Sequence, residues 1–227
     1  MTPLPQDGNP KPRCFRVPGD RAIINRFGIN NKGVKNALEH LKKERPNVIV
    51  AANISKNTSS INEEAAKDYE TSFGLLYDFV DMFVINISCP NVHDGGMAFG
   101  VTVEGASSVV RAVRERYHKT LIVKLSPNVT NICDIARAVE AEGADSVSLI
   151  NTLMGMAIDI EKRKTLLSIN TGGLSGPAVK PVALRMVWQV AKAVKIPVVG
   201  LGGICTAKDA IEFIMAGATA IEIGTAN

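Results

Sequence analysis

Short apolar runs alternate with longer amphipathic stretches along most of this chain. Six runs are almost continuously hydrophobic and rich in β-branched residues, the pattern of strands covered on both faces of a parallel sheet. They are Val48–Ser55, Phe83–Ser88, Leu121–Ser126, Ser146–Thr152, Val198–Ile204 and Ala220–Thr225. Helical spacing predicts helices over Ile61–Tyr77, Val103–Tyr117, Ile132–Glu142, Pro181–Val194 and Ala207–Ala216. The repeated strand-then-helix unit, which follows an extended opening segment, predicts an α/β fold.

Each predicted strand carries a polar or glycine residue towards its C-terminal end. These residues are Asn53, Asn86, Lys124, Asn151, Gly202 with Gly203, and Gly224 with Thr225. In (β/α)₈ barrels the C-terminal strand ends form one rim that holds the active site, and phosphate commonly lies at the last two strands. We therefore predict a (β/α)₈ TIM barrel with one domain over residues 1–227. Because a closed barrel of this type has eight strands, we expect about six of eight here, with the domain truncated at both termini.

Composition and charge exclude several classes of function. The 227 residues are 46% hydrophobic with a formal net charge of +4, too small and too mixed in sign to indicate a nucleic-acid or membrane partner. No apolar run approaches the roughly 20 residues of a membrane span, so we expect a cytoplasmic protein. The four cysteines lack metal-ligand spacing, so we expect no metal site. We interpret Cys14, Cys133 and Cys205 as small buried hydrophobic residues.

The densest candidate chemistry lies at Asn86–Asn91. Residues two apart on a strand share a face, so Asn86 and Ser88 point towards the same rim, and Pro90 turns the chain out of the strand. Cys89 then lies on the turn, before a glycine-containing loop long enough to cover a site and exclude water. Cys89 is a candidate catalytic residue, and the alternative is a buried cysteine at a strand end.

The rim also offers charge and a place for phosphate. Lys124 interrupts the apolar run Leu121–Leu125, and a buried lysine is costly unless an anion or a developing negative charge lies beside it. The alternative is a lysine whose ammonium reaches the surface. The glycines of Gly200–Gly203 and Gly224 let backbone N–H groups approach a phosphate closely. Together these features predict a phosphorylated cofactor with an aromatic ring over the barrel mouth.

With these residues the chain resembles the dihydroorotate dehydrogenase family over essentially its whole length. The matching segments are Asn25–Asn31, Asn86–Asn91, Val123–Leu125, Ile150–Thr152, Gly172–Gly176, Gly200–Ile204 and Gly224–Thr225. Cys89 resembles the soluble class 1 enzymes, because the quinone-linked class 2 enzymes are similar but have serine at this position. From Asn86 to Asn227, including Gly95–Gly100, the chain looks most like the NAD-linked subclass of class 1. The N-terminal part looks more like class 2.

The resemblance implies an FMN-dependent enzyme of pyrimidine biosynthesis that oxidises dihydroorotate to orotate, with Cys89 as the base. The implied FMN contacts are Asn53, Asn86, Lys124, Ile150, Gly176, Gly202, Gly203, Gly224 and Thr225. The implied pyrimidine contacts are Asn25, Gly28, Ile29, Asn86, Asn91, Asn151 and Thr152. The NAD-linked subclass also implies a partner subunit that carries FAD and an iron–sulfur cluster, and we expect a homo-oligomer.

Two alternatives stay open at this point. A dihydropyrimidine dehydrogenase-type flavin domain is similar in its barrel, FMN and cysteine, but it accepts a different pyrimidine and works in the opposite direction. The other alternative is a non-catalytic fragment that is active only with missing segments. The electron acceptor is equally open between NAD through a partner subunit, fumarate and quinone.

Overall fold

The computed structural model describes residues 1–44, 47–61, 64–87 and 99–227. Its strands are β1 (Cys14–Val17), β2 (Ala22–Asn25), β3 (Ala51–Ile54), β4 (Met82–Asn86), β5 (Thr120–Lys124), β6 (Ser146–Leu149), β7 (Leu153–Met156), β8 (Ile158–Asp159), β9 (Lys164–Thr165), β10 (Thr171–Ser175), β11 (Val198–Leu201) and β12 (Ala220–Glu222). Its α-helices are α1 (Gly33–Lys43), α2 (Ala65–Leu76), α3 (Val103–Arg114), α4 (Ile132–Ala141), α5 (Lys180–Ala191) and α6 (Ala207–Met215).

All six predicted strands lie in one parallel sheet with the order β12-β11-β6-β5-β4-β3. Five of the six helices occupy the predicted helical stretches, with ends that differ by at most four residues. The face of the sheet that packs against them is apolar and fully buried, and it includes Phe83, Ile85, Leu121, Val123, Val147 and Leu149. The α/β prediction is confirmed, and the core lies between this face and the helices.

The opposite face of the sheet carries the polar side chains of its strands. Asn86 pairs with Lys124, and Lys124 pairs with Ser148, so their side chains share this face. The same alternation places Asn53 and Glu222 on it, through the pairs Asn53–Val84 and Leu201–Glu222. The ammonium of Lys124 lies 4.0 Å from the carboxylate of Glu222 although two strands separate their own. The sheet therefore curves towards this face, as the wall of a (β/α)₈ barrel curves around its interior.

A second, antiparallel sheet with the order β1-β2-β10-β7 accompanies the parallel one. It pairs Asn25 with Gly173, and Gly173 with Met154. The sequence patterns predicted neither this sheet nor α1. The sheet joins the N-terminal segment to the residues that follow β6, and so brings Asn25 to the C-terminal rim of the parallel sheet.

The interpretation of three cysteines as buried is wrong for two of them. Cys14 and Cys205 are exposed, and Cys133 is half-buried. Cys14 begins the edge strand β1, and Cys205 lies in the loop before α6, so neither position faces the core. Within the described ranges, no helix is long and apolar enough to cross a membrane.

Candidate active site

A cleft of about 190 Å³ opens at the C-terminal ends of β5, β6, β11 and β12. It brings together nine of the residues implied to contact FMN or the pyrimidine. These are Lys124, Ile150, Asn151, Thr152, Gly176, Gly202, Gly203, Gly224 and Thr225. The rim expected from the strand ends is therefore a continuous cavity wall in the folded chain.

Two consecutive glycines after β11 form part of this wall. Gly202 and Gly203 have φ values of 127° and 78°, in the region that side-chain-bearing residues rarely adopt. A Cβ on Gly203 would lie 2.8 Å from the carbonyl oxygen of Gly176 and 2.9 Å from the backbone nitrogen of Lys180. Glycine is therefore required at Gly203 by close packing against neighbouring backbone. Both glycines line the cleft without a side chain, which suits the close approach of an anionic group such as phosphate.

The loop after these glycines is fixed by the start of α6. Thr206 and Asp209 form a capping box, in which each side chain bonds the backbone of the other residue. The Asp209 carboxylate also accepts hydrogen bonds from the ammonium of Lys180 at 2.6 Å and the backbone nitrogen of Cys205 at 3.0 Å. The Lys180 hydrogen bond, followed by those from Cys205 and Thr206, holds the pKa of Asp209 far below its ordinary value. These contacts fix the loop that follows Gly202 and Gly203 to the start of α6 and to Lys180.

Lys124 points into the cleft with its side chain 17% exposed. The Glu222 carboxylate, at 4.0 Å, is its one ion-pair partner among the described residues. Glu222 was not among the residues predicted for the site, although it interrupts the apolar run Ala220–Thr225 much as Lys124 interrupts its own run. The criterion that identified Lys124, a charged residue within an apolar run, applies to Glu222 as well.

Amide side chains line the next part of the rim. The Asn151 amide nitrogen donates to the side-chain oxygen of Asn86 at 3.2 Å, and the Asn151 side-chain oxygen accepts from the backbone nitrogen of Thr152 at 2.8 Å. Asn128, which the sequence analysis missed, donates to the Thr152 carbonyl at 3.0 Å and accepts from the Met154 backbone at 2.8 Å. Asn86 does not line the cleft itself but is tied to a residue that does.

Asn25 lies beside this group without lining the cleft. Its amide nitrogen donates to the carbonyl of Gly173 at 3.1 Å. A Cβ on Gly173 would lie 2.4 Å from the Thr152 hydroxyl, so Gly173 connects Asn25 to the rim. Gly28 and Ile29 both have positive φ, and the Gln6 amide donates to both of their carbonyls at 3.0 and 3.1 Å.

Asn53, like Asn86, is an implied FMN contact that does not line the cleft. It is exposed near the end of the edge strand β3, and its carbonyl accepts a hydrogen bond from the amino group of Met1. Cys89 and Asn91 lie outside the described residues. The flanking residues show where that segment is attached, because a Cβ on Gly100 would overlap the carbonyl oxygen of Ile87. Ile87 and Gly100 therefore lie against each other just after β4, at the rim.

One buried hydroxyl on the inner face has no partner in the described structure. Ser148 is fully buried, and its side-chain oxygen makes no hydrogen bond. Its neighbour Ser146 donates to the carbonyl of Pro197 at 2.9 Å. Ser148 shares its face with Lys124, below the cleft. Among the described residues no cluster of His, Cys, Asp or Glu side chains could hold a metal ion.

Comparisons with known proteins agree with this architecture. Residues 1–227 match the family model described as dihydroorotate dehydrogenase. Proteins named dihydroorotate dehydrogenase B (NAD(+)), catalytic subunit, from Phocaeicola vulgatus and Bacteroides fragilis are 57% and 56% identical over 98% of this chain and 72% of their own length. A crystal structure of DHODH from Eimeria tenella in complex with ferulenol is 30% identical, with a TM-score of 0.85 over 100% of this chain and 68% of that one. This likeness confirms the predicted barrel fold class.

Proposed function

The chain belongs to the dihydroorotate dehydrogenase family, oxidoreductases of pyrimidine biosynthesis that oxidise dihydroorotate to orotate, and we propose that it does so with FMN in the cleft and Cys89 as the base. The observation that carries the proposal is the presence in one cleft of a glycine wall open to phosphate and a lysine within the barrel. The family membership favours this function over a dihydropyrimidine dehydrogenase-type domain or a non-catalytic fragment.

The residues of the cleft fit FMN. Gly202 and Gly203, with Gly176, Gly224 and Thr225, would hold the phosphate, since all five line the cleft and glycine backbone can approach an anion closely. Lys124 would face the ring system, where its positive charge stabilises negative charge that develops on reduction. When bound, FMN supplies an acceptor for the hydride that leaves C6 of dihydroorotate. Ile150 offers an apolar surface beside it.

The chain's own residues would supply the rest of the chemistry. Cys89 would accept the proton from C5 of dihydroorotate as the C6 hydride leaves, and the two carbons then share the new double bond of orotate. The amides of Asn25, Asn86, Asn91 and Asn151, with Thr152, would hold the pyrimidine, because an amide offers both donors and an acceptor to alternating C=O and N–H groups. Gly28 and Ile29, in the N-terminal segment, would form one side of the substrate site.

The names of the relatives support a further part of the proposal. They are called catalytic subunits of an NAD(+)-linked enzyme, which supports a separate electron-transfer subunit for this chain, one that would carry FAD and an iron–sulfur cluster. A homo-oligomer and a cytoplasmic location belong to the same proposal. NAD through that subunit would then be the electron acceptor.

Ligand titration tests the substrate assignment. The protein is mixed with FMN, and the flavin absorption spectrum is recorded as orotate, uracil or thymine is added. We expect orotate to perturb the spectrum saturably and the two pyrimidines without a carboxylate to leave it unchanged. A response to uracil or thymine but not to orotate would instead support the dihydropyrimidine dehydrogenase-type reaction.

A further inference from the structure

Lys124 and Glu222 form an ion pair across the concave face of the sheet. Their strands, β5 and β12, are separated by β6 and β11, a span of about 14 Å along a flat sheet. Curvature of the sheet and the two long side chains reduce the separation of Lys124 Nζ and Glu222 Oε2 to 4.0 Å. Both residues line the cleft, so any group bound there meets the lysine and the carboxylate together.

We propose that Glu222 is a positioning residue for Lys124 and lowers the reduction potential of the bound flavin, an inference that rests on the proposed function. The carboxylate draws the ammonium towards β12, the strand that leads to Gly224 and Thr225, and offsets part of its positive charge. Negative charge that develops on the flavin ring during reduction is then stabilised less than it would be by Lys124 alone. A lower potential favours onward transfer of the electrons to an acceptor.

The surroundings of Glu222 argue against a purely structural role. Its side chain is 39% exposed, and among the described residues Lys124 is its one hydrogen-bond or ion-pair partner. β12 is held by its parallel backbone pairing with β11.

The test compares Glu222→Gln and Glu222→Asp with the wild-type protein, all loaded with FMN. The first readout is the two-electron midpoint potential of the flavin. The second is the dissociation constant of sulfite, which adds to the oxidised ring and leaves it negatively charged. Glu142→Gln is the matched control, because it removes the same charge from a carboxylate that pairs with Arg111 at the end of α4 remote from the cleft.

We expect Glu222→Gln to bind sulfite on the order of tenfold more tightly, the effect of an ammonium released to approach the developing charge by about 2 Å at an effective dielectric constant near 20. A tenfold change in a two-electron equilibrium corresponds to about 30 mV, so the midpoint potential rises by about that amount. Glu222→Asp and Glu142→Gln keep values near the wild type. In a Lys124→Met background the Glu222→Gln shift falls to less than half, because the lysine is the group through which Glu222 acts.

An unchanged midpoint potential in Glu222→Gln would overturn the inference. If dihydroorotate still reduced FMN in the wild type, the proposed function would be unaffected by that result. A shift that persists undiminished in the Lys124→Met background would also overturn the inference, since Glu222 would then act directly on the flavin. So would loss of FMN from Glu222→Gln at an unchanged circular dichroism spectrum, because removal of a negative charge should not weaken binding of an anionic cofactor. Failure of the wild type to bind FMN would contradict the proposed function itself.

Discussion

The side chains of Asn86 and Asn151 are joined by a hydrogen bond of 3.2 Å although 65 residues separate them in sequence. Asn86 ends β4, three residues before Cys89, and Asn151 lies in the wall of the cleft. The bond therefore links the strand that leads to the proposed base with the cleft in which FMN and pyrimidine would meet. The proposed role of Cys89 as the base would require that strand and cleft keep a fixed geometry relative to each other.

Asn151→Ala should weaken substrate binding more than it weakens the fold. It removes the bond to Asn86 and the acceptor for the Thr152 backbone, and the loss of about one hydrogen bond to substrate is worth roughly tenfold in KM for dihydroorotate. Steady-state kinetics measure the change. Asn47→Ala, in an exposed position before β3, is the control and should leave KM unchanged. An equal KM in both variants would remove Asn151 from the substrate site.

Gly203→Ala should abolish tight FMN binding. The new Cβ would meet Gly176 and Lys180 at under 3 Å, and the φ of 78° is strained for alanine; such strain costs about 1–3 kcal/mol. Fluorescence quenching of FMN measures the affinity, and urea unfolding measures the stability. Gly19→Ala is the control, since no atom lies within 4 Å of the added carbon. Wild-type FMN affinity in Gly203→Ala would show that the glycine wall does not hold the phosphate.

Ser148→Ala and Ser146→Ala should change stability in opposite directions. The two serines share a strand and a face, but only Ser146 has a hydrogen-bond partner. In FMN-free protein, Ser148→Ala should raise the free energy of unfolding by about 1 kcal/mol and Ser146→Ala should lower it by about 1 kcal/mol. Chemical denaturation of both variants measures the difference. Destabilisation by Ser148→Ala would mean that its hydroxyl has a partner in solution.

Low pH should remove the stabilisation that the Asp209 carboxylate provides at the start of α6. The hydrogen bond from Lys180, with those from Cys205 and Thr206, depresses the pKa of Asp209 in the folded protein. Its stabilisation is therefore fully present above the unfolded pKa, near 3.9, and is lost as pH falls towards the folded pKa. Asp209→Asn should be less stable than wild type at pH 7, and the gap should narrow below about pH 4.

Urea unfolding at pH 7, 5 and 3 measures this dependence. Asp134→Asn, at the same position relative to the cap of α4 but more exposed, is the control and should show a smaller loss at pH 7. A gap between Asp209→Asn and wild type that stayed constant from pH 7 to pH 3 would contradict the assignment.

The parallel sheet could be predicted because its strands carry their own signal. A run such as Leu121–Ser126 is apolar and β-branched regardless of its neighbours, and its one charged residue marks the cleft. The antiparallel sheet lacks such a signal. β10 is Thr171–Ser175, with two consecutive glycines of low strand propensity, and becomes a strand through its pairing with β2 and β7.

Only part of the candidate site could likewise be predicted from the sequence. Residues at strand ends were found because all parallel strands end at one rim, whereas Asn128 lies beyond its strand and acts through the backbone of Thr152 and Met154. No local pattern reveals such long-range backbone contacts. The pairing of Lys124 with Glu222 depends on the curvature of the whole sheet, so sequence could indicate each residue but not their contact.

Reduction of FMN by dihydroorotate under anaerobic conditions tests the proposed chemistry most directly. Flavin absorbance is followed by stopped flow in wild type, Cys89→Ala and the control Cys133→Ala, each with FMN bound. We predict rapid bleaching in wild type and Cys133→Ala, and a rate at least 100-fold lower in Cys89→Ala, the range that general base catalysis contributes, roughly 10²–10⁴-fold. Undiminished bleaching in Cys89→Ala would contradict the assignment of Cys89 as the base.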